Sequence, residues 1–315
     1  MTAPVDVERG ASPLLHDEHA HWLPERLLSL LARRDQPPFA RRSAAGWSFT
    51  ASLRARPLPA MASDLGVRVH RLAAAGIGQQ TLCLSPLWNI DSQPLEVSLP
   101  LVRAFNDATA AAAAGSGTYR GLAAVPLADV DAACAELARA VEAGLQGLVL
   151  SASVLADRVA VDAWAPLFAL AQANGLRVFV HPGHAAASGS SDDNAARKRR
   201  YGLEPQHQIG LAMLALCDSG WVAAYPNITL QFANLGGSYT FCLERLDAMQ
   251  ERSSDDDARR RLAMRRVVVD SASLGPEAIR CARALLGERA VVFGTDTPMF
   301  DAARAAASWE AAASR

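Results

Sequence analysis

Short runs rich in β-branched and apolar residues alternate along most of this chain with longer stretches rich in Ala, Leu and Arg. The runs are TLCLS (81–85), YRGLAAV (119–125), GLVLS (147–151), RVFVH (177–181), ITLQFA (228–233), RVVVD (266–270) and AVVFG (290–294). Repeated strand-then-helix units imply parallel strands joined by right-handed crossovers. The intervening stretches carry helix signals. Between Leu127 and Gly144, Asp129 is placed to cap, Ala133, Leu137, Ala140 and Val141 recur on one face, and Gly144 can end the helix. With a weaker strand before His19 the strand candidates number eight. This predicts an α/β fold of the (β/α)8 TIM-barrel type, with an open doubly wound Rossmann sheet as the competing architecture. No G-x-G-x-x-G or G-x-x-x-x-G-K-[ST] follows any of these runs, so nucleotide binding through such loops has no support.

A chain of 315 residues, half of them hydrophobic, is ordinary for one such barrel. The expected organisation is a flexible tail over 1–12 and a single domain over 13–315. The 31 basic and 32 acidic side chains give no electrostatic case for nucleic acid or an anionic membrane. No apolar run approaches the roughly 20 residues needed to span a bilayer. The expected partner is therefore a small molecule. Cys83, Cys134, Cys217, Cys242 and Cys281 stand singly in apolar contexts and read as reduced core thiols. The first ten residues lack an apolar stretch of the secretory kind, so the expected compartment is the cytoplasm. Two charged stretches, 185–205 and 250–266, interrupt the pattern. Charge runs are usually solvated surface. The first follows His181 directly, where loops after strands build a barrel's active face, and is expected to form a lid.

The chemistry concentrates at strand ends. His19 and His21 are separated by one residue on an extended segment, so their rings share a face. His181 closes the strand RVFVH, and Asp296 follows AVVFG. A lone histidine is usually structural. Four suitable ligands at the C-terminal ends of barrel strands instead predict a metal centre formed by His19, His21, His181 and Asp296.

The chain resembles the amidohydrolase superfamily, in particular the branch typified by 2-amino-3-carboxymuconate-6-semialdehyde decarboxylase. The segments that carry the resemblance are DEHAHWLP, LCLSP, AFNDA (104–108), LAAVPLADVDAACAELARAVEAGLQGLVL, VFVHPG, SGWVAAYPNITLQFANLGG and FGTDTP, in that order. The resemblance implies a (β/α)8 barrel, usually dimeric, that holds one divalent metal for decarboxylation or hydrolysis. The metal is generally zinc, with manganese as the alternative. The family's ligands fall on His19, His21, His181 and Asp296. Its sixth-strand histidine, which helps activate water, is replaced here by Asn234 in FANLGG. A carboxamide can orient water or a carboxylate but cannot act as a base, which leaves Asp296 to move the proton.

Arg245 lies eleven residues after Asn234, the spacing at which the family's decarboxylases carry an arginine for the substrate carboxylate, commonly from the partner subunit. For a second substrate arginine the alignment reaches Thr50, with Arg54 or Arg56 as substitutes. Trp88 and His184 are further candidates for substrate contact, and Trp22 could line the same pocket. His16, His70 and His207 read as structural or surface groups; Asp270 ends the seventh strand, where it could support the site, with a cap on the following helix as the default reading. After Pro298 only 17 residues remain, fewer than the family usually carries.

The expected function is a metal-dependent decarboxylase, a carboxy-lyase acting on a small carboxylated cyclic or conjugated substrate. A hydrolase of the amidohydrolase or lactonase kind is the alternative. Asn234 also raises that of a catalytically impaired, ligand-binding barrel.

Overall fold

The computed structural model describes residues 14–52, 54–184, 193–218, 220–249, 265–272 and 274–314. The tail 1–12, the lid's first part (185–192) and most of the second charged stretch lie outside them. The strands in chain order are β1 (Leu15–His21), β2 (Phe39–Ser43), β3 (Gly46–Thr50), β4 (Arg56–Pro57), β5 (Ile77–Cys83), β6 (Tyr119–Gly121), β7 (Gly147–Ser151), β8 (Arg177–His181), β9 (Thr229–Phe232), β10 (Val267–Asp270) and β11 (Val291–Val292). Two parallel sheets, β1-β5-β6 and β7-β8-β9-β10-β11, hold the eight strands of the barrel. Hydrogen bonds at both seams join them into a ring. Past the end of β6, Ala123 N–H donates to Gly147 O at 2.8 Å and Val149 N–H to Ala123 O at 2.9 Å. At the other seam Glu18 N–H donates to Phe293 O at 2.9 Å and His21 N–H to Thr297 O at 2.7 Å. The predicted (β/α)8 barrel is therefore the observed architecture.

Helices cover the ring. The helix Val130–Glu142 starts at Asp129, whose carboxylate caps Ala132 N–H, and buries Ala133, Leu137 and Ala140. These join a large apolar cluster with Leu148, Leu150, Val178, Val180 and Phe168. A second cluster packs Leu27, Leu28 and Leu31 against Phe105, Leu72 and Leu82. The C-terminal helix Ala302–Ala313 sets Trp309 against the Phe293 ring at 5.7 Å, so the short segment after Pro298 still covers the last strand.

Several expectations need correction. The region between the first two barrel strands forms a separate antiparallel sheet, β2-β3-β4. Its short charged strands, with Arg41 and Arg42 facing solvent, gave no apolar signal. The described part of the stretch 185–205 is helical: Asn194–Lys198, a π-helical turn over Arg199–Leu203, then the long helix from Glu204. The segment that carries Arg245 forms two short helices, Gly237–Phe241 and Leu243–Ala248, broken at Cys242. None of the five cysteines forms a disulfide, but Cys242 and Cys281 are exposed rather than core thiols. Cys281 lies on a helix that buries Ile279 and Ala282, one position off that face. No helix among the described residues is long and apolar enough to cross a membrane.

One buried acid gives the stability a pH dependence. Asp91 lies in the loop after β5 with only Ser92 Oγ as a side-chain donor, and burial raises its pKa from 3.8 to about 7. A carboxyl raised on folding stabilises the folded state most while it is protonated in both states. That contribution is lost as pH rises from 3.8 towards 7. Asp91→Asn removes this loss. Denaturant unfolding should find the variant equal to the parent near pH 4 and more stable by roughly 1–4 kcal/mol at pH 8. A parent whose advantage grows with pH would show that the Asp91 carboxylate is stabilised after all.

Candidate metal centre

The end of β1 carries His19 and His21 into the C-terminal mouth of the barrel, β8 delivers His181, and the turn after β11 delivers Asp296. Both His19 and His21 are fully buried, and His181 nearly so. One ligand atom from each of the four lies within 4.8 Å of every other. His21 Nε2 is 3.2 Å from His19 Nε2, 3.1 Å from His181 Nε2 and 3.1 Å from Asp296 Oδ1. All four predicted ligands are thus brought together.

The partners of the outer ring nitrogens fix the protonation pattern. His19 Nδ1–H donates to Asp270 Oδ1 at 2.9 Å, His21 Nδ1–H to Cys83 O at 3.3 Å and His181 Nδ1–H to Pro182 O at 2.8 Å. Carboxylates and carbonyls only accept, so each Nδ1 carries the proton and each Nε2 turns a lone pair inward. Three lone pairs and a carboxylate, all within 4.8 Å of one another, form the donor set of a divalent cation, with the outer bonds that orient metal-ligating imidazoles. The residues present therefore fit such an ion. Burial and the neighbouring rings push His21 and His181 well below the usual histidine range. Burial also opposes charge on His19, but Asp270, through its charge and hydrogen bond, and Asp296 lift it to about 9. Without an ion the charge favoured here is one proton on His19, which a bound cation would displace to free the Nε2 lone pair.

Local sequence makes this convergence feasible. Arg68, buried on the helix Leu65–Ala74, donates to the His21 carbonyl at 2.6 Å and to Gln80 Oε1 at 3.1 Å. Asp17 accepts from Thr295 N–H at 2.9 Å and Thr295 Oγ1 at 2.6 Å, tying β1 to the turn that bears Asp296. Gly294 passes so close to both that an added Cβ would sit 2.9 Å from His19 Cβ and 3.0 Å from Asp270 Cβ. Asp296 has φ +57°, a left-handed conformation that aspartate tolerates better than most residues.

The other candidates are distributed unevenly. Asn234 is buried at φ +54°, its backbone N–H on Asp270 Oδ1 at 3.3 Å, and its own Oδ1 has no partner among the described residues. Trp88 is buried with its ring 5.6 Å from His21 and 6.0 Å from Phe49, beside the cluster as expected. His184 is half-buried against the backbone of Leu87. Trp22 instead donates its indole N–H to Thr109 Oγ1. Arg245 is exposed on the helix Leu243–Ala248. Thr50 ends β3 as a buried residue, and Arg56 hydrogen-bonds Tyr201 at 3.0 Å and lies 5.0 Å over its ring. A cleft of about 580 Å³ beside Trp22 and Trp47 lies away from the ligands. Its Glu25 is already bonded by Arg42 and Trp47.

Asp270 supports the site rather than capping a helix: it is fully buried and bonded to His19, its Oδ1 also receives Ala272 N–H at 3.2 Å, and the next helix has Gly275 at its N-cap. Burial opposes its ionisation, but His19 holds it below the usual carboxylate range. The signal was available: Asp270 closes VVVD as His181 closes VFVH.

The 2-amino-3-carboxymuconate-6-semialdehyde decarboxylase of Dictyostelium discoideum is 25% identical over 247 residues, covering 75% of this chain and 67% of that protein. The crystal structure of 5-carboxyvanillate decarboxylase from Sphingomonas paucimobilis superposes with a TM-score of 0.73 at 21% identity, covering 96% of this chain and 94% of that one. The enzyme of that name from Novosphingobium aromaticivorans, complexed with manganese and 4-hydroxy-3-methoxy-5-nitrobenzoic acid, gives 0.73 at 19% identity, over 95% and 90% of the two chains. A model of the amidohydrolase family matches residues 87–315, nearly three-quarters of the sequence, and with the barrel and its ligand set in place the chain belongs to that family.

Proposed function

We propose that this protein is a metal-dependent decarboxylase of a small carboxylated aromatic or conjugated acid. The observation that carries the reading is the convergence of three inward-facing Nε2 atoms and Asp296 in the barrel mouth. The relatives named above, decarboxylases of carboxylated aromatic or muconate-type compounds, support the reaction class. His19, His21, His181 and Asp296 would hold the ion, zinc in our reading, with manganese as the alternative. The chemistry a divalent cation supplies there is Lewis acidity towards a substrate oxygen.

The protein's own groups do the rest. Decarboxylation breaks the bond between the substrate carbon and its carboxylate, releases carbon dioxide and leaves a carbon that takes up a proton. Asp296 is the acid placed to deliver that proton, and burial raises its pKa in that direction. Asn234 orients substrate through its carboxamide oxygen, which has no partner among the described residues, while Trp88 packs against the flat substrate face and His184 supplies a further substrate contact. Arg245 serves the carboxylate of a substrate bound in the partner subunit of a homodimer, in keeping with its exposure. Residues 13–315 act as one domain in the cytoplasm, where five cysteines without a disulfide are at home.

The test is carbon dioxide release from a panel of hydroxybenzoic and muconate-like acids by metal-loaded protein, run beside Asn234→His. Turnover by the parent, lowered about tenfold or more in Asn234→His, is the expected result, because the imidazole displaces a carboxamide used for orientation. No release from any acid by the parent, with release gained in the variant, would instead identify an impaired barrel.

A further inference from the structure

The bonds behind His19 form an ordered series that begins at the opposite rim of the barrel. Arg177, the first residue of β8, can only donate. Its Nη1 donates to Glu18 Oε2 at 2.6 Å and to Gln231 Oε1 at 2.9 Å. That orients the fully buried carboxamide of Gln231: with its oxygen turned to Arg177, its Nε2 donates to Asp270 Oδ2 at 3.0 Å and to the Glu18 carbonyl at 3.1 Å. Asp270 receives the N–H groups of Gln231, Asn234 and Ala272 together with His19 Nδ1–H. Only an acceptor on both oxygens satisfies that surrounding. The polarity of each bond dictates the next, and the last one leaves the His19 lone pair on Nε2.

We infer that Gln231 and Asp270 are positioning residues, which transmit a donor–acceptor order from Arg177 through the barrel interior and thereby set the tautomer and ring orientation of His19. Barrel interiors are usually filled by apolar layers. Burying a carboxamide and a carboxylate there is costly unless every bond is made, and in this series they are. Asp270 Oδ1 also holds the backbone of Asn234, so one carboxylate fixes both a metal ligand and the residue that departs from the family pattern. The inference rests on the metal-centre reading.

The test is calorimetric titration of Mn²⁺ alone into chelator-treated full-length protein, with thermal unfolding measured in parallel. In Asp270→Asn, an amide oxygen facing His19 leaves the amide NH₂ against the NH₂ of Gln231, donor against donor. Mn²⁺ affinity should fall roughly 10–100-fold. Adding Gln231→Glu to Asp270→Asn restores an acceptor opposite that amide and an anion beside Arg177 but turns the same acceptor on the Glu18 carbonyl, so only part of the loss should return. Gln231→Glu alone sets two carboxylates face to face and should weaken binding. Should Asp270→Asn fail to fold, Gln231→Leu, which strips one donor from Asp270, decides the matter by a several-fold loss of affinity. Parent-like affinity in folded Asp270→Asn or in Gln231→Leu overturns the inference. A parent that binds no Mn²⁺ overturns the metal-centre reading and the inference together, a result distinct from those because the parent itself fails.

Discussion

Replacing His19 and His21 together with alanine lowers the metal content from about one ion per chain to below about 0.1, and activity disappears with it. The two rings supply half of the ligand set, and their Nε2 atoms stand 3.2 Å apart. The remaining His181 and Asp296 come from different strands and cannot close a site alone. Barrel closure does not depend on these side chains, since the seam at β1 is made by backbone bonds from Glu18 and His21. The double variant should therefore still unfold cooperatively. Elemental analysis of protein purified without chelator checks the prediction. An undiminished ion count in the variant would place the metal elsewhere.

Asp296→Asn lowers kcat by roughly 10²–10⁴-fold even at saturating metal, the usual contribution of a positioned proton donor. The amide oxygen can still face the histidine rings, so raising the metal concentration restores occupancy. It does not restore a proton that a carboxamide cannot give. Measuring occupancy and carbon dioxide release on the same samples separates the two roles. Activity within a few-fold of the parent once the ion is bound would assign the proton to another group, with His184 a half-buried candidate.

Much of this site was legible in the chain because its signals are local. His19 and His21 share a face by strand geometry alone, and His181 and Asp296 each close a strand run. The helix Val130–Glu142 was readable from its cap, its apolar spacing and Gly144. What escaped were features decided by partners distant in sequence. Asp270 faces a histidine 251 residues away. Gln231 sits in a strand run otherwise apolar, where a polar residue reads as an interruption until Arg177 and Asp270 are seen on either side of it. Arg68 looks like an exposed helix residue but is buried because the carbonyls of His21 and Met61 and the Gln80 side chain await a donor. The sheet β2-β3-β4 went unread because its strands are short and their charged residues face solvent.

The sequence by itself determined the alternation of strands and helices, and with it the parallel barrel and the rim on which any ligands at strand ends must gather. Strand periodicity and crossover handedness are properties of short segments, so they can be read one segment at a time. The tertiary structure alone decided which nitrogen of each histidine carries its proton, which carboxylate faces the rings and which stands behind them, and that the Asn234 carboxamide oxygen has no partner among the described residues. Those outcomes depend on distances between groups on different strands. A buried hydrogen bond takes its direction from whatever the fold places opposite it.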